Sequence, residues 1–573
     1  MKLALVVIDD GSSPSGSVGG PFDDFDVVER ATSEPAAVKR AVERALAAEP
    51  DLAATWDSRL GAPDAGALRG LATGPEARAD AWHSGLRLGQ AGRPALFDAV
   101  HPSWMLAHDP PTDRVASSWR LSLRACVFRP HLWRQLGGLD AGYAGLDGAA
   151  LELGHRWLWG GAVLRHVPDL LPGPARPDDP PMPVDDVARF LIQRTGRFWA
   201  TYAVVRGLLG RRAPRGLSGA LWRRRGDRAV ARRHLGDAEG PGTTTRAQPE
   251  TPRPTVSVLI PTLDRYPYLD VVLEQLARQT APVLEVLVID QTAPERRRKA
   301  WATPAGLDVR VFERDRPGQS SARNVGLRAA RGEVILFLDD DVEMDDDLVE
   351  RHLDALAATG ADASCGGQDE VGAGDAPPEF RHPRISDVFP TCNSALRRDA
   401  LRGSGLFDLA FDHGARADAD LGTRLYLSGA LLRLSPSVSV LHHKAPAGGL
   451  RQHKARVATY AASRRSFVRH LPSVTEFYLA LRYGGEVAAR EVGWQRALGT
   501  LKARGPRGRR LAKLAWGMLL LPDTALRIVA RARRARRLLV DYPQIPRLPT
   551  SPLDTDAAAR REAEPSGAEG DAP

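Results

Sequence analysis

At 573 residues with 43% hydrophobic side chains, the chain reads as globular and not disordered, and it is too long for one ordinary core, so two or three domains are expected. The net charge of +9 is carried by Arg far more than Lys and concentrates in residues 194 to 233 and 502 to 537, which favours phosphate-bearing partners: anionic lipid, nucleic acid or nucleotide. The widely spaced Cys126, Cys365 and Cys392, with no C-x-x-C pair, argue against a zinc site and for a reducing compartment.

The chain opens with Leu3-Ala4-Leu5-Val6-Val7-Ile8 and then meets Asp9 and Asp10. That apolar run is short for a signal peptide and predicts a buried first strand. Residues 191–235 read as a basic helical segment, and residues 236–254, rich in Gly, Pro, Thr and charge, read as an interdomain linker. From Thr255 onward TVSVLI, a helix-period stretch from Tyr268 to Arg278, EVLVI ending at Asp290, VRVFE, a helical SARNVGLRAA and EVILFL follow in turn. This βαβ rhythm predicts an α/β domain on a mostly parallel sheet, with ligands at the carboxyl ends of the strands, where Asp290 and Asp339 fall. The run Leu336-Phe337-Leu338-Asp339-Asp340-Asp341 ends an apolar strand in three carboxylates. Such crowding is costly without a cation, and a divalent ion carrying a phosphorylated substrate is the expected tenant.

Residues 446–548 read as a basic helical C-terminal region. Within 502–537, twelve Lys or Arg stand against one acidic residue, Asp523, interleaved with Leu511, Leu514, Trp516, Met518, Leu519, Ile528 and Val529. This is the pattern of basic amphipathic helices lying on an anionic membrane surface. The apolar run Leu514 to Leu521 stops at Pro522, short of the roughly 20 residues that span a bilayer. No nucleic-acid recognition motif accompanies the arginines, so no nucleic-acid partner is expected. Residues 549–573 read as a disordered tail.

Taken together, VSVLIPTLDRYPYL, VLVIDQT, SSARNVGLRAARGEVILFLDDDV, NSALRRDALRGSGLFD and GARADADLGTRLYLSG make residues 255–445 resemble the family 2 glycosyltransferases, which have the GT-A nucleotide-sugar fold. The resemblance implies that Pro261 and Thr262 approach the nucleotide and that Asp290 binds its base or ribose. It places Arg323 and Asn324 on the donor side, and makes Asp339-Asp340-Asp341 a D-x-D motif in which Asp341 contacts Mn²⁺ or Mg²⁺ and Asp339 the ribose or metal. It implies that Asp418 is the base that takes a proton from the acceptor hydroxyl, with Asn393 and Asp420 on the acceptor side. Compensation of a helix dipole is the competing reading for Asp418 and Asp420. Of the histidines ending SVSVLHH, His443 is preferred over His442 as the one near the metal. The family often has Glu-Asp where this chain has Ala417-Asp418, a departure on the acceptor side. The Q-x-x-R-W motif of processive synthases is absent, which favours transfer of single sugars or short chains.

The chain also resembles itself. The segment from Arg129 to Pro168 aligns without a gap on that from Arg397 to Pro436, pairing Gly137 with Gly405, Asp140 with Asp408, Arg156 with Arg424 and Gly161 with Gly429. Upstream, Asp9 takes the place of Asp290, Asp57 falls near the place of Asp340, and Ala150 stands where Asp418 stands. Residues 1–190 therefore read as a second, degenerate and non-catalytic GT-A-like domain in tandem with the first.

These readings converge on a cytoplasmic, metal-dependent, inverting, hexosyltransferase-like enzyme of cell-wall or polysaccharide biosynthesis, peripheral on the inner face of the membrane. It would move a sugar from a nucleoside-diphosphate donor to a glycan or lipid-linked acceptor. The alternative is a non-catalytic nucleotide-sugar or glycan-binding scaffold. A nucleotidyltransferase would carry a Gly-rich, Arg/Lys-bearing loop where PTLDRYPYL stands.

Overall fold

Two sheets organise the chain, each beginning with a buried, largely apolar strand. A computed structural model describes residues 1–9, 22–84, 95–171, 181–228, 233–235, 253–371, 377–450, 471–501 and 506–548. Most of the expected linker at 236–254 and all of the expected tail at 549–573 lie outside the described residues.

The first sheet contains β1 (Leu3–Asp9), β2 (Val27–Thr32), β3 (Leu52–Asp57), β4 (Ala81–His83), β5 (Ala116–Ser117), β6 (Ala125–Phe128) and β7 (Leu164–His166), in the order β2-β1-β3-β6-β4-β7-β5. Its opening strand is buried almost throughout, as its uninterrupted apolar run predicts for a parallel strand between helical layers. The helix Pro35–Leu46 covers it with Val38, Ala41, Val42 and Ala45, spaced to share one helical face.

The second sheet contains β8 (Val256–Thr262), β9 (Glu285–Asp290), β10 (Val309–Glu313), β11 (Val334–Leu338), β12 (Val342–Glu343), β13 (Ala363–Glu370), β14 (Arg384–Ile385), β15 (Asn393–Arg397) and β16 (Leu432–His442). Its order is β10-β9-β8-β11-β15-β13-β16-β12, with β14 on the flank of β16. The helix Tyr266–Ala277 packs on it through Leu269, Val272, Leu273 and Leu276. The ladders make β8, β9, β10 and β11 parallel, so their carboxyl ends share one edge.

Strand for strand, β2-β1-β3-β6-β4-β7 follows the order of β9-β8-β11-β15-β13-β16. The ladders also correct two upstream assignments. Trp56 pairs with Ala125 as Leu338 pairs with Asn393, so Asp57 occupies the place of Asp339 and not that of Asp340. Asp9 pairs with Thr32 as Thr262 pairs with Asp290, so Asp9 stands at the position of Thr262, and Thr32 at that of Asp290. Short motifs match by eye in either register; hydrogen-bonded partners do not.

The halves meet reciprocally. Arg433 donates to the Gly161 carbonyl at 2.7 Å, and its counterpart Arg165 donates to the Gly429 carbonyl at 3.2 Å. Both glycines have positive φ, +104° and +97°, and a Cβ added to them would stand 2.7 Å from the Pro383 carbonyl oxygen and 2.4 Å from that of Val115. Only glycine meets both demands.

Long helices close the structure. Val184–Leu209 bends at Gly196, Val474–Leu501 bends at Gly485, and Arg507–Asp541 packs against Val474–Leu501 with Pro522 inside it. Glu491, nearly devoid of solvent contact, accepts hydrogen bonds from Tyr202 Oη at 2.8 Å, Arg206 Nε at 3.0 Å and Arg212 Nη2 at 3.2 Å, which ties the C-terminal helices to the first half. No helix among the described residues is long and apolar enough to cross a membrane.

Candidate active site

The shared carboxyl edge of β8, β9 and β11 gathers Thr262, Asp290 and the acidic triplet, and β16 delivers His442 to the same place. Thr262 Oγ1 donates to Asp340 Oδ2 at 2.8 Å, and Pro261 precedes it, partly exposed, on β8. Asp290 is fully buried and accepts from Tyr266 Oη at 2.7 Å and from the Thr292 amide at 2.9 Å. Arg323 donates to Asp339 Oδ1 at 3.2 Å, so the donor-side arginine is tethered to the one triplet carboxylate that keeps substantial exposure.

Asp340 and Asp341 are buried, and Arg265 supplies their countercharge, with Nη1 at 3.1 Å from Asp340 and 3.2 Å from Asp341. Burial, with Asp341 adding to it, pushes the Asp340 carboxyl up to about 7. Burial also acts to raise Asp341, but His442, Arg265 and the Ala445 amide outweigh it and hold that carboxyl down at about 2. His442 Nε2 lies 3.2 Å from Asp341 Oδ1 and 4.0 Å from Asp339 Oδ2; burial opposes its protonation, but these carboxylates raise its pKa.

His443, the histidine preferred from the sequence, faces elsewhere and pairs with Glu343 at 2.7 Å. Successive strand residues point to opposite sides, and the register of β16 gives the inward side to His442. Asp339, Cys392 and His442 offer ligand atoms within 4.8 Å of one another. The buried Asp341 Oδ1 lies beside this group, 3.2 Å from His442 Nε2. These carboxylate and imidazole groups could hold a divalent ion, while the Cys392 thiol, kept protonated by burial, donates to Gln368 Oε1 at 2.8 Å.

Three expected contacts are redirected. Asn324 is fully buried, with its amide exchanging hydrogen bonds with the Phe407 backbone at 2.8 Å in both directions, so it clamps a loop and does not face a donor. Asn393 is fully buried on β15, donating to the Gly367 and Val438 carbonyls and meeting His352 Nε2 at 2.8 Å. Asp420 is fully buried against Arg424 at 2.7 Å and Tyr483 Oη at 2.6 Å. All three act in packing.

Asp418 behaves differently. It stands in the first turn of the helix Ala417–Leu427, partly exposed; its Oδ1 accepts the Ala419 amide at 2.8 Å. The buried Cys392 thiol is pushed well up, first by burial and then by the carboxylates of Asp339 and Asp418, so these three residues share one electrostatic neighbourhood. Arg265, although inside VSVLIPTLDRYPYL, and Cys392, just before NSALRRDALRGSGLFD, carry no sequence signal for a place here, and only the fold brings them in.

The first half has the same framework with different chemistry. Asp57 accepts from Arg59 at 2.6 Å and Arg124 at 2.8 Å, and Arg124 also reaches Asp147 at 3.2 Å. By the ladder register Arg59 stands where Asp341 stands, and Arg124, just before Ala125, stands where Cys392 stands before Asn393. Burial raises the Asp57 carboxyl but these guanidinium groups outweigh it and hold it low.

An α/β sheet edge bearing an acidic cluster that could hold a metal, with a further carboxylate on a helix start beside it, is what a GT-A glycosyltransferase domain presents. Residues 257–417 match the family model "Glycosyl transferase family 2", and this chain carries a domain of that family. It is 29% identical over 246 residues to the succinoglycan biosynthesis protein ExoM of Rhizobium meliloti (strain 1021), a match covering 39% of this chain and 77% of ExoM. It is 34% identical over 90 residues to an uncharacterized glycosyltransferase, EpsJ, of Bacillus subtilis (strain 168), covering 15% of this chain but only 26% of EpsJ. Among solved structures, the mannosyltransferase PcManGT of Pyrobaculum calidifontis, in complex with GDP-Man and Mn²⁺, matches 55% of this chain and 80% of its own at 22% identity and a TM-score of 0.31. S. aureus TarS in complex with UDP-GlcNAc matches 50% of this chain and 83% of its own at 16% identity and a TM-score of 0.32.

Proposed function

We propose that the chain transfers a sugar from a nucleoside-diphosphate donor to an acceptor hydroxyl with inversion, in polysaccharide or cell-wall assembly. The observation that carries this reading is the convergence of Asp339, Asp341 and His442 on one sheet edge with Asp418 in electrostatic reach. The acceptor oxygen attacks the anomeric carbon as the bond from that carbon to the diphosphate oxygen breaks. The electron pair leaves with the diphosphate, and the hydroxyl proton passes to Asp418. A divalent cation held by Asp339, Asp341 and His442 would neutralise charge on the departing diphosphate. Arg323 orients Asp339, and Arg265 keeps the buried pair behind it in place.

Residues 1–190 are read as a non-catalytic partner. Arg59 and Arg124 give Asp57 an internal countercharge where the other half has ligands, so no ion is needed there, and Ala150 supplies no base. The whole chain is placed at the cytoplasmic face of a membrane, consistent with three buried free cysteines and an exposed apolar, arginine-rich C-terminal helix.

The test is nucleoside-diphosphate release from candidate donors with Mn²⁺ and glycolipid extract. Asp418→Asn should lower turnover by about 10² to 10⁴ while nucleotide uptake, followed by calorimetry, stays near the parent's. Equal turnover by variant and parent would leave the catalytic reading without its base.

A further inference from the structure

The arginine-to-glycine contacts between the halves are reciprocal, and assembly alone accounts for them. A second contact runs one way. Trp104 of the first half donates its indole N–H to Asp387 Oδ2 at 2.8 Å, and Arg384, only 1% exposed, holds the other oxygen of that carboxylate at 2.8 Å. The Arg384 guanidinium lies 4.3 Å over the ring of Trp159, also of the first half, and Trp159 stacks on Trp104 with ring planes 13° apart. Two rings of one half thus hold an ion pair of the other.

The first half receives no such contact in return. Arg384 pairs with Leu434 as Ala116 pairs with His166, and Leu434 and His166 are aligned, so Ala116 stands where Arg384 stands and Trp119 where Asp387 stands. Trp119 turns into its own half, donating to the Leu106 carbonyl at 2.8 Å and stacking on Phe190. Symmetric assembly does not require the one-sided contact.

Two residues beyond Asp387, the buried Phe389 is wedged between the strand and the helix that carry the candidate site. Its ring meets Phe337 of β11 edge-on at 5.6 Å, and a Cβ added to Gly422 would stand 2.9 Å from the Phe389 Cβ. β11 runs into the triplet, and Gly422 belongs to the helix Ala417–Leu427, whose first turn carries Asp418. Ser386 stiffens the turn before Phe389, its Oγ donating to the Val388 carbonyl at 2.6 Å and accepting the Val388 amide at 3.2 Å. Three residues after Phe389, the Cys392 sulfur lies within 4.8 Å of side-chain atoms of Asp339 and His442. Trp104, Asp387 and Phe389 also line, with Asp418, Phe198 and Leu498, a cavity of about 990 Å³ to which both halves and the helix Val474–Leu501 contribute.

We propose that Trp104 is a positioning residue: through Asp387 and Phe389 the first half sets the spacing between the acidic triplet and Asp418. The inference rests on the reading of these carboxylates as one active site. It gives the non-catalytic half a task beyond assembly, because the rate of a bound reaction falls steeply when its groups are displaced.

Two matched variants of the full chain test it. Trp104→Phe and Trp119→Phe each remove an indole hydrogen bond of 2.8 Å and keep a ring in the stack, so both should lower the melting temperature, but only the first loosens the strut. Trp104→Phe should lower kcat at saturating donor by about tenfold to a hundredfold. Its calorimetric uptake of a nucleoside diphosphate with Mn²⁺ should stay near the parent's, because the carboxylates on the sheet edge keep their own partners. Trp119→Phe should keep the parent's kcat. Thiol titration reads the loop without substrate: Cys392 should react with Ellman's reagent about tenfold faster in Trp104→Phe than in the parent or Trp119→Phe, with Cys392→Ser identifying the fast thiol. Equal thiol rates in Trp104→Phe and the parent overturn the proposal. So does a parent-like kcat in Trp104→Phe, or an equal loss in Trp119→Phe. A chain that releases no nucleoside diphosphate sinks the catalytic reading alone, and the thiol rates then decide this inference by themselves.

Discussion

Which of two adjacent histidines meets the acidic cluster is decided by strand alternation, and it gives a sharp test. His442→Ala should remove most of the Mn²⁺-assisted uptake of a nucleoside diphosphate, whereas His443→Ala, which loses only the partly exposed Glu343 pair, should keep it. Calorimetry with and without Mn²⁺ reads both, and the reverse ranking would mean that the site is organised otherwise. The buried pair also sets a pH dependence. Asp340 titrates at about 7 when folded, above its ordinary 3.8, so the folded chain binds more protons in that window and loses stability as pH rises through it. Asp340→Asn removes this slope. Its melting temperature relative to the parent should therefore improve between pH 5 and pH 8, and a constant difference would argue against the raised carboxyl. The triplet, Asp290 and Asp418 were legible as residues; the parts of Arg265, inside VSVLIPTLDRYPYL, and of Cys392, just before NSALRRDALRGSGLFD, were not, because they meet the triplet only across many residues of chain.

At the scale of elements, the helix Arg507–Asp541 presents Leu511, Trp516, Leu519, Leu526 and Val540 to solvent, between 48% and 77% exposed, among many arginines. A helix that keeps this much apolar surface exposed beside cationic charge suits an anionic lipid surface. Co-sedimentation with phosphatidylglycerol vesicles should be strong at low salt and fall as salt screens the arginines, and Leu519→Glu with Leu526→Glu should weaken it several-fold. Sedimentation indifferent to both salt and substitution would remove the membrane from the account. The basic composition predicted this helix, but Val184–Leu209 and Val474–Leu501 converge on Glu491 through residues that no periodicity singles out.

At the scale of the whole molecule, the halves are joined by reciprocal arginine-to-glycine contacts and by one continuous apolar core. Gly429→Ala would drive a Cβ to 2.4 Å from the Val115 carbonyl oxygen in a left-handed conformation. It should destabilise the chain by at least about 2 kcal/mol, seen as a lower denaturant midpoint, and Gly161→Ala should act in the same direction. Parent-like midpoints for both would mean that the interface yields easily. The sequence by itself determined the α/β class, the strand carrying the triplet, the base candidate and the self-resemblance, because periodicity and gapless spacing are properties of the chain read in order. Only the tertiary structure decided which histidine faces inward, that Asn324, Asn393 and Asp420 are spent on packing, that arginines stand in the first half where Asp341 and Cys392 stand in the second, and that three distant segments enclose one cavity. The reason is physical: orientation, burial and countercharge are set by partners hundreds of residues away, and local pattern carries no record of them.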